Sequence, residues 1–249
     1  MRRLILPKRI SMANFNVHLN TAIITTGLAS SALLTAGHID LNSALWLWFL
    51  GAIGGLLPDI DSDNSTSLDM IFNLFALSAV LFVLNFITTD LFSQISFIEL
   101  IIIPFIVYCM MRYLIRPIFE KITVHRGSCH SLFFLLFAAL LTTQITWQLN
   151  DQETLQSTIF AWLTGGFIFL GGLVHLLLDE IYSVDLSNIR IKRSFGTALK
   201  LADFNNKLLT LTTVIAIAGL VYIAPPTNET LHALSNWSQF TLYALNFKV

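Results

Sequence analysis

Seven long apolar runs, parted by short polar breaks, leave this chain few ways to fold. They lie near 19–36, 41–57, 68–88, 96–115, 131–148, 158–178 and 208–224. About 18 mostly apolar residues are enough to cross a bilayer as a helix. The expected fold class is therefore all-α: a polytopic transmembrane helix bundle of about seven spans, in one integral-membrane domain over 1–249. The second run is short and carries Gly51, Gly54 and Gly55, which leaves its ends loosely set. A soluble domain of 249 residues would not be 55% hydrophobic and only 12% charged. The first run follows Arg2, Arg3, Lys8 and Arg9 and has full spanning length, so it reads as a span and not a cleavable signal. The stretch 231–247 is broken by His232, Ser235, Asn236 and Ser238, and suits a surface helix in a tail over 225–249.

Charge orients such a bundle. With the amino terminus inside, Arg2, Arg3, Lys8, Arg9, Arg112, Arg116, Lys121, Arg126, Arg190, Lys192, Arg193, Lys200 and Lys207 all fall on the cytoplasmic side. That is 13 of the 14 basic residues, with Lys248 alone outside, the positive-inside pattern. Asp40, Asp90, Asp151 and Glu153 would face the other way. The expected location is a bacterial inner membrane, multi-pass, with a cytoplasmic amino terminus. Basic residues that flank spans do not make a groove, so a nucleic-acid partner is not expected. The polar stretch 179–207 can fold against the cytoplasmic helix ends. Cys109 and Cys129 are placed where a disulfide does not form, and Cys129 reads as a small space-filler between two histidines.

Four polar islands interrupt this apolar background on the cytoplasmic side, and each is made of metal-ligand residue types. They are His18; Leu57-Pro58-Asp59-Ile60-Asp61-Ser62-Asp63; His125-Arg126-Gly127-Ser128-Cys129-His130-Ser131; and His175-Leu176-Leu177-Leu178-Asp179-Glu180. His175 and Asp179, four apart on a helix, are offset by only about 40° and can share one ion. Asp59 and Asp61 alternate after Pro58, which ends or redirects the second span. Asp63, Asn64, Ser65 and Asp69 read instead as caps ahead of the third span. Ser128 or Ser131 can cap the fifth, and Arg126 beside a helix start can hold a phosphate or serve as a topology anchor. Taken singly, each island has a bland alternative; His18 alone would be a polar cap. Together they supply His18, Asp59, Asp61, His125, His130, His175 and Asp179, an imidazole–carboxylate mix suited to zinc, manganese or iron and enough for one or two ions. His38 and His232 fall on the opposite face as bystanders.

The order His18, Leu57-Pro58-Asp59-Ile60-Asp61, His125-Arg126-Gly127-x-x-His130-Ser131 and His175-x-x-x-Asp179 resembles the LexA-regulated, membrane-bound metal-dependent hydrolase family, also called YdjM-like. The resemblance covers about 18–185. It implies an inner-membrane, metal-dependent hydrolase, with a tie to the SOS response through LexA. Two departures touch substrate choice more than metal binding. Cys129 stands where many members have Thr, and Glu180-Ile181-Tyr182-Ser183-Val184-Asp185 replaces a Pro-rich segment.

The function expected is hydrolysis of a phosphoester of a lipid or lipid-linked phosphate at the cytoplasmic leaflet. A divalent metal, zinc first and manganese, iron or magnesium next, would supply hydroxide at neutral pH. Arg126 would steady the phosphate, and Asp61 or Glu180 would take the proton. Two other classes compete: a divalent-cation transporter or sensor, and a scaffold with a structural metal. Transporter sites lie near the bilayer midplane, whereas these ligands sit at span ends.

Overall fold

A computed structural model describes residues 15–61, 65–87, 96–118, 129–150, 152, 154–185, 190–191, 199–202, 204 and 206–237. Helices occupy all seven apolar runs. They are α1 (Phe15–Thr35), α2 (Leu41–Gly54), α3 (Ser65–Ile87), α4 (Phe97–Cys109), α5 (Leu132–Leu149), α6 (Leu155–Ser183) and α7 (Lys207–Tyr222). A 3-10 turn, Leu57–Asp61, follows α2, and a π turn, Met110–Ile115, extends α4. α1, the α4 extension to Ile118, α5 and α6 are each long and apolar enough to cross a membrane; α2, α7 and the apolar part of α3 are shorter. A last helix, α8 (Asn228–Ser235), lies within the expected tail. Among the described residues the only extended pairing is a two-residue antiparallel ladder, Val184–Asp185 with Arg190–Ile191.

Local chemistry sets the helix ends. Asp40 caps α2 by accepting from the Ser43 N–H at 3.1 Å, and its hydrogen bonds to Ser43 hold its carboxyl below the usual range. Ser96 and Glu99 form a capping box at the start of α4. Ser131 caps α5 by accepting from Phe134 N–H at 3.3 Å. The orphan amides of Leu132 and Phe133 then donate to the carbonyls of Lys200 and Leu201, both at 3.0 Å. The polar stretch after α6 thus folds back on the end of the bundle that carries His130.

α6 is the axis of the bundle. Its apolar window is 56% buried, against 6% for α4, and it packs on α1, α2 and α5. Glycines set the closest approach. A Cβ on Gly171 would collide with the Gly51 carbonyl, and one on Gly54 with the Ile168 carbonyl. Small residues that let backbones touch are how helices associate where lipid removes the hydrophobic drive. Buried hydroxyls stay satisfied within this layer. Thr26 donates to the Ala22 carbonyl at 2.7 Å and Thr164 to Thr146 Oγ1 at 3.0 Å. At about 1.5 Å per residue, α6 is about 43 Å long against a hydrocarbon core of about 30 Å. Its last turns, with His175 and Asp179, therefore reach the edge of that core.

One expectation is corrected. Asp69 does not cap α3. It lies on the second turn and pairs with Arg112 at 3.1 Å and with Arg116, tying α3 to α4. Two cationic partners outweigh a cap that its position no longer permits. Asp63 and Asn64 lie outside the described residues.

Candidate metal centre

Five of the seven expected ligands meet. His18 comes from the first turn of α1, Asp59 from the 3-10 turn, His130 from the residues before α5, and His175 and Asp179 from the last turns of α6. Pro58 is fully buried as the second residue of the tight 3-10 turn, which brings Asp59 to within 3.6 Å of His175 on α6. His18 and His175 are buried at 3% and 1% exposure, although each carries polar nitrogens. Burial of such groups needs partners.

The partners form a closed ring. His130 Nε2 lies 3.7 Å from Asp59 Oδ1 and 3.6 Å from Asp179 Oδ2. His175 Nε2 lies 3.6 Å from Asp59 Oδ1 and 3.5 Å from Asp179 Oδ2. Imidazole and carboxylate alternate around it. A charge-assisted N–H···O bond is about 2.7–2.9 Å, so these separations are too long for direct hydrogen bonds. Ligand bonds of about 2.0–2.2 Å put neighbouring tetrahedral ligand atoms about 3.3–3.6 Å apart, which is close to the spacing here.

His175 makes the case sharper. Its Nδ1 lies 2.7 Å from the Gly55 carbonyl oxygen. A carbonyl only accepts, so Nδ1 carries the proton and Nε2 faces the ring. That Nε2 is buried and has no hydrogen-bond partner. A lone pair aimed between two carboxylates calls for a cation. Anchoring the far ring nitrogen on a backbone carbonyl is also the usual support of a metal-ligating imidazole.

His18 stands one step back. Its Nε2 lies 3.2 Å from Asp179 Oδ1, the oxygen turned away from His130 and His175. Its ring stacks on His175 at 4.0 Å between centroids and 19° between planes. His18, His175 and Asp179 form one candidate group and Asp59, His130 and His175 another, each with ligand atoms within 4.8 Å. Both groups contain His175.

The remaining candidates differ. Asp61 ends the 3-10 turn, and its side chain, like His125 and Arg126, lies outside the described residues. Glu180 follows Asp179 by one residue, about 100° further round the helix, and the ion pairs above run through Asp179. Cys129 is buried among Leu56, Ile60, Leu68, Ile71 and Phe72, the space-filling place expected of it. His38 packs edge-on against Trp237 at 5.4 Å, apart from the centre. His232 is exposed on α8. Sequence reasoning missed the Gly55 carbonyl. The signal was present in Gly51, Gly54 and Gly55, since small residues at a helix end allow another helix to reach their backbone.

The fold and centre define a class: a helical membrane protein whose histidines and aspartates, buried or half-buried and drawn from four segments, could hold a divalent cation. The model of the family described as YdjM inner membrane protein matches residues 12–222, and the chain belongs to that family. It is accordingly an inner-membrane protein. Neither the curated proteins nor the solved structures compared with it gave a match.

Proposed function

We propose that this protein is a metal-dependent hydrolase of the inner membrane, acting on a phosphoester of a lipid or lipid-linked phosphate at the cytoplasmic face. The observation that carries the reading is the ring of His130, Asp59, His175 and Asp179 around the orphaned Nε2 of His175. Two imidazoles and two carboxylates favour zinc, with manganese or iron next. Because Nδ1 of His175 is committed to Gly55, that imidazole offers a single coordinating nitrogen. The described residues therefore suit one ion. When bound, such an ion activates water and polarises a phosphoryl oxygen.

The chain's own residues supply the rest. His18 holds the Asp179 carboxylate in place through Oδ1. Gly55 fixes the tautomer of His175. The basic residues 112–126 and 190–207 set the cytoplasmic side, with the amino terminus inside. Arg126 is permanently cationic, so it serves the phosphate and not the metal. Asp61 or Glu180 receives the proton. The position of the centre at helix ends, away from the bilayer midplane, disfavours transport.

The test is metal content of the purified protein, followed by a panel of phosphoester substrates. Arg126→Lys should keep the metal and lower turnover, because an ammonium loses the bidentate hold on phosphate. Stoichiometric metal with no turnover on any phosphoester would leave a structural metal site.

A further inference from the structure

The short segment that closes the start of α5 has two unlike sides. The carbonyls of Lys200 and Leu201 accept from the Leu132 and Phe133 amides, both at 3.0 Å, and Ala202 is buried. That side belongs to the protein. Leu201 and Phe204 instead turn outward, at 58% and 69% exposure, and Leu208 follows four residues later at 73%. Large apolar side chains left open in succession mark a surface that meets something other than water.

The level of this segment in the membrane follows from α5. Its 18 residues, at about 1.5 Å each, make about 27 Å, close to a hydrocarbon core of about 30 Å. A span of that length starts at the boundary of the core. Leu201 is hydrogen-bonded to the second residue of α5, so it lies at the same boundary. Phe204 is tied to it from the other direction, because the three steps to Lys207 at the start of α7 reach at most about 11 Å.

Continuity identifies what covers the outer side. α7 buries no residue and exposes Leu208, Leu211 and Ile215, as a helix facing lipid does. Leu201 and Phe204 extend that surface at the end where α7 begins. At the boundary, apolar side chains reach acyl chains while the polar backbone stays among head groups.

We propose that residues 199–202 with Phe204 form an interfacial strap. Leu201 and Phe204 insert between the phospholipids of the leaflet at this end of the bundle, and their insertion holds the backbone that closes α5. His130 lies two residues before Leu132, so the lipid surface steadies the wall of the centre that His130 supplies. The strap itself requires neither hydrolysis nor a bound metal.

The experiment uses the full chain in phosphatidylcholine nanodiscs. A photoreactive p-benzoylphenylalanine is placed in turn at positions 201, 204 and 208, and its adducts are read by mass spectrometry. Positions 201 and 204 should form lipid adducts as readily as 208. Lipid adducts from 208 alone would put the strap in water and overturn the proposal. Adducts to a second copy of the chain would overturn it in favour of a contact between protomers. Hydrogen exchange of the Leu132 and Phe133 amides tests the holding role. Leu201→Ser with Phe204→Ser should speed their exchange by about tenfold, as a local opening does, while later α5 amides stay protected. Leu201→Met with Phe204→Leu keeps the apolar surface and should exchange as wild type does. Unchanged exchange in the serine pair, or equal acceleration in both pairs, would show that membrane insertion does not hold α5.

Discussion

His175 Nδ1 sits 2.7 Å from the carbonyl oxygen of Gly55, so the side chain of one helix is keyed to the backbone end of another. The contact exists because α2 and α6 touch through glycines. A Cβ on Gly171 would meet both the Gly51 carbonyl and the Gly55 amide, which are backbone atoms that cannot turn away. Packing in the apolar layer and ligand geometry at its edge are thus one arrangement.

Gly171→Ala tests that link. Overpacking here should cost about 1–3 kcal/mol and push α6 off α2. His175 would then leave Gly55, and metal affinity should fall along with thermal stability. Unchanged affinity in a folded variant would show that the glycine contact does not govern the centre.

Asp179→Asn keeps size and removes a charge from the ring. It should lose the bound metal, and Asp59→Asn should do likewise, since each carboxylate closes two of the four N···O contacts. His38→Ala should bind metal as wild type does, because His38 packs on Trp237. Elemental analysis of the purified variants reads the difference. Equal metal loss in all three would point to damaged folding.

His18→Gln should weaken metal binding by about 10–100-fold without abolishing it, the usual effect of removing a group that orients a ligand. Titration with a competing chelator measures this. A loss as complete as that of Asp179→Asn would make His18 a direct ligand and overturn its supporting role.

Topology gives an independent check. Reporter fusions after Val249 and within 184–190 should report opposite compartments, with the latter inside. Finding both on one side would rule out seven crossings with an inside amino terminus.

Much of this was legible in the chain, for definable reasons. The seven helices follow from run length, because hydrocarbon leaves a backbone no other local partner. The i, i+4 spacing put His175 and Asp179 on one face, and Ser131 was one of two serines read as able to cap the helix it starts. Asp69 was misread because a carboxylate near a helix start looks like a cap, while its arginine partners lie over 40 residues away in sequence. Which histidine would ligate and which would support was equally hidden. His18 and His130 are alike as residues; what separates them is that His130 faces Asp59 and Oδ2 of Asp179, whereas His18 faces Oδ1 of Asp179.

The sequence by itself determined the membrane setting, the helical class and the residue types able to hold a metal, since these depend on hydropathy and short spacings along one element. Tertiary structure alone decided the ring of His130, Asp59, His175 and Asp179, the Gly55 anchor and the pairing of Asp69 with Arg112 and Arg116. Those arise where distant segments meet, and the meeting distance is set by glycine contacts between helices that no local pattern measures.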